Sequence, residues 1–195
     1  NGHDVAALVR NPLKASRLES RGVSLVRGDL DDPTGLDALC TGVDGLFHVA
    51  GWYRLGSRTP HQGQRVNVEG THNVLAAAHR AGVPRMVYTS TLAVNSDTGG
   101  AVVDESYSFR GRHISTYDET KARAHDAVAR AAVEGAPIVT VMPGLVYGPD
   151  DTSQTGALLR QVIAGKRPMV PTGGRVCWGY VQDIARGHLL AMERG

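Results

Sequence analysis

Apolar, β-branched runs alternate with alanine-rich stretches along most of this chain. The runs are Val5-Ala-Ala-Leu-Val9, Ser24-Leu-Val26, Gly45-Leu-Phe-His-Val-Ala50, Arg85-Met-Val-Tyr-Thr89 and Pro137-Ile-Val-Thr-Val-Met142. Little polar alternation interrupts them, which predicts parallel strands covered on both faces. Helices are expected over residues 12–21, 33–41, 66–81 and 116–134. The third stops at Gly82 with Pro84 just beyond. The fourth opens on Thr116-Tyr-Asp-Glu119, a capping-box spacing. Strands alternating with helices predict an α/β fold with a doubly wound parallel sheet.

The first strand follows directly on Asn1-Gly2-His3-Asp4. A glycine just before a strand in such a chain reads as the cap of an earlier helix. The expectation is therefore a chain cut at its N-terminus, lacking one strand, its helix and the glycine-rich phosphate loop between them.

Composition narrows the field. The 195 residues are 42% hydrophobic and 21% charged, with a net charge of +2, so one good-sized core is expected. The basic residues are scattered, which argues against a nucleic-acid or anionic-membrane partner. No apolar run has the length of a membrane span. Cys40 and Cys177 lie far apart with no histidine beside them, which fits a reducing, cytoplasmic setting better than a disulfide scaffold or zinc site.

The candidate chemistry centres on Tyr117 and Lys121, four residues apart at a helix start. A lysine one turn below a tyrosine sets a cation beside a phenol. It is expected to lower the phenol pKa, so that the pair passes a proton to or from a substrate hydroxyl or carbonyl. Alone, the spacing fits a solvated lysine equally well. Thr89-Ser-Thr91 ends a predicted strand, where a hydroxyl can hydrogen-bond a substrate carbonyl or simply satisfy a turn. Arg10 ends the strand that would meet an adenine ribose, and Lys14 and Arg17 follow it. These favour a 2′-phosphate, hence NADP over NAD, or are a solvated basic helix start. Asp29 is placed to accept from an adenine amino group with Leu30 packed on the ring, or to cap the helix near Pro33. Val49-Ala-Gly51 ends another strand in small residues that let a backbone approach a ligand. Pro143-Gly-Leu-Val-Tyr-Gly-Pro149 wraps a ring at the sheet edge or is a plain loop.

Taken in order, these segments resemble a family. The set is Asp29-Leu30, Phe47 to Gly51, Asn67-Val-Glu-Gly-Thr71, Val87 to Thr91, Tyr117-x-x-Thr-Lys121, Pro143 to Pro149 and Val181-Gln-Asp-Ile-Ala185. It resembles the extended short-chain dehydrogenase/reductases, also called the NAD-dependent epimerase/dehydratase family. Val9-Arg-Asn-Pro12 makes it most similar to the dihydroflavonol-reductase-like branch. The resemblance covers the whole chain. It implies a Rossmann-like dinucleotide-binding domain over residues 1–148, without its TGxxGxxG loop. It also implies part of a small substrate lobe over 149–180 and a returning helix over 181–195. Gln182 stands where a histidine is usual.

The resemblance also implies roles. Tyr117 is the general acid in reduction and the base in oxidation. Lys121 lowers its pKa and binds the nicotinamide ribose. Thr91 is the catalytic hydroxyl, with Ser90 the alternative. Arg10, Asp29, Leu30, Val49, Ala50, Gly51, Pro143, Gly144, Leu145 and Val146 contact cofactor, NADP or else NAD. Asn67 braces the sheet centre. The implied activity is hydride transfer between nicotinamide and a small-molecule secondary alcohol or ketone. The rivals are a nucleotide-sugar epimerase or dehydratase with tightly held NAD, and a non-catalytic dinucleotide sensor. Trp52-Tyr53, Phe109 to His113 and the region from Asp151 to Trp178 line the substrate pocket or anchor loops. Relatives pair through the helices holding Asn73 and Lys121. Ala122, Ala124, Ala127 and Ala131 suit such a homodimer, or pack on the chain's own sheet.

Overall fold

The computed structural model describes residues 2–53, 60–168 and 176–195. β1 (Ala6–Val9) runs parallel to β2 (Ser24–Arg27), with Ala6 opposite Ser24. Between them the sequence predicts one helix, but two short pieces form: a 3-10 turn, Pro12–Lys14, and α1 (Ser16–Glu19). The Asn11 side chain accepts from the Leu13 amide at 3.1 Å and tightens the first turn, and Ala15 at φ −109° separates the two. α2 (Pro33–Cys40) is capped by Asp32, whose Oδ1 accepts from the Thr34 amide at 3.1 Å. That cap is therefore Asp32 and not Asp29.

β3 (Leu46–His48) leads to a helical stretch that starts earlier than residue 66. It comprises α3 (Pro60–Gly63), a π-helical segment, Gln64–Glu69, and α4 (Gly70–Arg80). β4 (Met86–Thr89) follows, then α5 (Thr116–Val133) and β5 (Ile138–Val141). The α5 cap is Ser115, one residue before the expected Thr116; its Oγ accepts from the Asp118 amide at 3.1 Å. The segment after Pro143 forms a short strand, β6 (Leu145–Tyr147). α6 (Gln154–Ile163), β7 (Trp178–Tyr180) and α7 (Val181–Arg194) complete the chain. β7 comes back to pair with β6, in parallel.

Among the described residues all ladders are parallel, and β4 lies between β3 and β5. Strand pleating sends successive β4 side chains to opposite faces. Met86 packs with Val74, Ala77 and Ala78 of α4, and Tyr88 packs with Ala124 and Val128 of α5. The other face carries α7, which lies against β4 and β5. Burying side chains such as Leu36, Val87 and Val128 contributes roughly 1.5–3 kcal/mol each. Ala124 and Ala127 are buried within this core, so these two alanines serve the chain's own sheet. A groove of about 1560 Å³ separates the β1–β2 pair from β3, lined by residues of both.

Candidate active site

Four consecutive residues at the C-terminal end of β4 and just beyond it face side chains of α5. The buried Tyr88 phenol accepts from Lys121 Nζ at 3.2 Å. The Thr89 carbonyl accepts from the same ammonium at 2.8 Å. Ser90 Oγ lies 2.8 Å from His125 Nδ1. The Thr91 hydroxyl accepts from the Ala93 amide at 3.2 Å and is near enough to the Tyr117 phenol to act on its pKa. Tyr117, Lys121 and His125 recur at intervals of four on α5, so one helix face presents all three to one strand end.

Burial governs the electrostatics. Lys121 is only 6% exposed, and its pKa falls from 10.5 to about 8 because burial disfavours the ammonium. The ammonium also lies 4.8 Å from the Tyr88 ring centroid. Burial raises the Tyr117 pKa, the Thr91 hydrogen bond opposes that rise, and Tyr53 and Asp118 add to it. This differs from the expectation that Lys121 would depress the phenol. The reason is geometric: Lys121 Nζ is bonded to Tyr88 and Thr89. Tyr88 itself is held well above its ordinary value, first by burial. His48, buried beside them, is pushed down to about 4 by burial and by the Lys121 charge.

Around this centre, Asn67 does brace the structure. Its Oδ1 accepts from the Trp52 amide at 2.7 Å, and its Nδ2 donates to the Trp52 carbonyl at 3.1 Å and to Thr120 Oγ1 at 3.0 Å. One buried side chain thus ties the segment after β3 to α5. Trp52 is an anchor: it is buried, and its indole N–H donates to Gln62 at 3.3 Å. Tyr53 is half-exposed and sits edge-on to Tyr117, with ring centroids 4.9 Å apart. A Cβ on Gly51 would lie 4.0 Å from Lys121 Nζ, so the 49–51 segment passes close to the ammonium.

Arg10, Asp29, Leu30, Val49, Ala50 and Gly51 all line the groove along the strand ends. Arg10 and Asp29 also line a neighbouring cavity of about 350 Å³ with Arg27 and Asp32. Asp29 accepts from the Leu30 amide at 2.8 Å and lies 3.8 Å from the Arg65 guanidinium. Asn73 Nδ2 donates to the Leu30 carbonyl at 2.8 Å. Pro143, Gly144, Leu145 and Val146 stand apart from that groove, beyond β5. The Pro143 carbonyl accepts from the Leu92 amide at 3.0 Å, and a Cβ on Gly144 would collide with the Cys177 carbonyl. Packing against the β7 approach is therefore a sufficient reason for that glycine. Of the expected pocket region from Asp151 to Trp178, residues 169–175 lie outside the described residues.

Sequence reasoning missed Tyr88, His125 and Arg65 as members of these networks. Strand alternation after Met86 offered a signal for Tyr88, the four-residue spacing from Lys121 one for His125, and nothing marked Arg65.

A parallel α/β sheet with chemistry-bearing side chains at its C-terminal strand ends is a Rossmann-like arrangement, in which such ends line a ligand crevice. Within that fold class, the chain belongs to the NAD dependent epimerase/dehydratase family, whose model matches residues 1–195. It is 38% identical over 199 residues to a "Putative dihydroflavonol 4-reductase" of Synechocystis sp., covering 100% of this chain and 57% of that protein. It is 36% identical to a 4-hydroxy-2-methyl-3-oxo-4-farnesyl-3,4-dihydroquinoline-1-oxide ketoreductase of Stigmatella aurantiaca, covering 100% of this chain and 58% of that one. Among solved structures, gox2253 superposes with a TM-score of 0.87 at 35% identity, covering 100% of this chain and 60% of that chain. The DesIV dTDP-glucose 4,6-dehydratase double mutant of Streptomyces venezuelae, with NAD and DAU bound, gives 0.79 at 25% identity, covering 97% and 62%. The chain thus spans less than two thirds of the length of these relatives.

Proposed function

We propose that this chain carries the cofactor and proton-transfer site of an NADP(H)-dependent oxidoreductase acting on a secondary alcohol or ketone. The observation that supports this most is the β4 end, where Thr91 is near enough to Tyr117 to act on its pKa and Lys121 is bonded to Tyr88 and Thr89. Bound NADPH supplies the hydride. Tyr117 gives its phenolic proton to the substrate oxygen; its raised pKa keeps that proton in place at neutral pH, the state a general acid needs. The Thr91 hydroxyl donates to the same oxygen and stabilises its developing charge. Ser90 is less suited to that task, because its buried hydroxyl is already paired with His125. Lys121 orients the nicotinamide ribose. Arg10 takes the 2′-phosphate at the edge of the 350 Å³ cavity, and Asp29 and Leu30 take the adenine.

In the same proposal, residues 1–148 form the cofactor domain, 149–180 a substrate excursion and 181–195 a return. The packing of α7 on β4 and β5 favours that return. Half-exposed Tyr53 stands beside Tyr117 as a wall for a small-molecule substrate. Among the described residues no helix is long and apolar enough to cross a membrane. We take the protein to be cytoplasmic, and homodimer pairing through α4 and α5 to be part of this reading.

A second reading, an epimerase or dehydratase, draws on the likeness to DesIV. Purified protein is to be offered NADPH and NADH separately with a panel of ketones. Net oxidation of the reduced cofactor, faster with NADPH, is expected. Tightly retained NAD with no net absorbance change during turnover would replace this proposal with the second reading.

A further inference from the structure

The turn that joins β2 to α2 closes on itself. The Asp29 carbonyl accepts from the Asp32 amide at 3.0 Å, and Asp29 Oδ1 accepts from the Leu30 amide at 2.8 Å. Asp32 Oδ1 in turn accepts from the Thr34 amide at 3.1 Å. Residues 29–32 therefore move as one unit. Whatever seats Leu30 also places the Asp29 carboxylate.

The seat belongs to α4. Asn73 Nδ2 donates to the Leu30 carbonyl at 2.8 Å. Leu30 also lies against Gly70, where a Cβ would come within 2.7 Å of Leu30 Cδ1 and 2.9 Å of Leu30 Cβ. A methyl at position 70 would thus meet the root of the Leu30 side chain as well as its tip. A change of rotamer at Leu30 does not move the root, so the turn itself would have to shift. The third contact is one of charge. The Arg65 guanidinium stands 3.8 Å from Asp29 and 3.5 Å from Asp31, and offsets two carboxylates in one turn. It is half-exposed, so its contribution is small.

Arg65, Gly70 and Asn73 would not share a face of an ordinary helix, because five α-helical residues carry a side chain well round the axis. Here the intervening turn is π-helical, with the Gly70 amide bonded to the Arg65 carbonyl. The wider turn brings Arg65 back to the side of Gly70 and Asn73. All three then meet the one turn that follows β2.

We infer that Gly70 and Asn73 are positioning residues for the adenine end of the cofactor, docking the turn that carries Asp29 and Leu30 onto α4. This rests on the reading of Asp29 and Leu30 given above, in which the carboxylate accepts from the adenine 6-amino group and Leu30 packs on the ring. A turn tilted off α4 carries both contacts out of place together. What α4 controls is then the choice of base, beyond affinity alone.

The probes are NADPH and its hypoxanthine analogue, in which a carbonyl oxygen replaces the 6-amino group. Binding of each is measured by isothermal titration calorimetry. An acceptor facing a carbonyl oxygen is a mismatch, so the parent protein is expected to prefer NADPH by roughly tenfold. Asp29→Asn keeps an acceptor for the Leu30 amide, offers the base a donor, and is expected to abolish that preference. Asn73→Leu keeps the size of the side chain and removes its donor. Gly70→Ala stands at φ −59°, where alanine suits a helix better than glycine, so it tests the displaced turn and not the helix. Each of these two is expected to bring the preference below about threefold, and either serves if the other does not fold. A general loosening of the fold would weaken both nucleotides alike and leave their ratio at the parent value. That result in either folded variant overturns the inference. Equal affinity in the parent, or an unchanged ratio in Asp29→Asn, overturns the adenine reading instead, and this inference with it.

Discussion

Lys121→Met is expected to stabilise the fold near neutral pH while removing the site's chemistry. Lys121 is 6% exposed and has no acidic partner among the causes acting on it; burial alone lowers its pKa from 10.5 to about 8. In the unfolded chain the amine keeps its proton up to its ordinary pKa. Between about pH 8 and 10.5 the unfolded state therefore binds more protons than the folded one, and stability rises with pH. Conversely, that stability is fully present above the unfolded pKa and is lost as pH falls through the folded one. Linkage over these two values predicts a gain of ~2.5 kcal/mol from pH 7 to pH 10 in the parent protein. Methionine is similar in length and does not titrate, so the variant lacks this contribution. Every other titrating group is common to both proteins and largely cancels in the difference. Urea unfolding of both proteins at pH 7 and pH 10 is the assay. The stability gap between variant and parent is expected to move by ~2.5 kcal/mol in the parent's favour at the higher pH. A gap that stays constant would refute the claim that burial of a charged amine dominates this site.

The paired hydroxyls give a second expectation. Thr91→Val lowers kcat by roughly 10²-fold, as for loss of one donor to a developing oxyanion, whereas Ser90→Ala has a smaller effect on kcat. Steady-state kinetics on the two variants checks the order, and a larger loss in Ser90→Ala would exchange their roles. Asn67→Ala leaves the buried Trp52 amide without its acceptor and frees Thr120. It is expected to cost about 2–3 kcal/mol in urea unfolding, and a cost near zero would show that water or a shifted chain replaces those bonds.

The strands and the long helix were legible because they combine a strong period with clear end signals. The runs ending at Val9, Thr89 and Met142 are continuous and rich in β-branched residues, and their positions held to within a residue or two. The α5 cap slipped by one because Ser115 and Thr116 both offer a hydroxyl, and only the Asp118 contact chooses between them. The π-helical turn over Gln64–Glu69 left no mark, since its apolar spacing passes for an α-helix. β6 and β7 are three residues each, too short for a period to register. Tyr117, Lys121 and Thr91 were legible as a set because order along the chain was enough to bring them to one strand end. The partner of Lys121 was not legible. It is Tyr88 and a backbone carbonyl, chosen by side-chain reach across α5 and β4.

The central claim is that Tyr117 moves the proton during hydride transfer. Tyr117→Phe removes one oxygen from a partly buried ring and leaves its edge contact with Tyr53 in place. The direct measurement is single-turnover NADPH oxidation by this variant, with cofactor binding followed separately by fluorescence. The account predicts retained binding and a chemical step slowed by roughly 10²–10⁴-fold. Turnover at the parent rate with retained binding would contradict it.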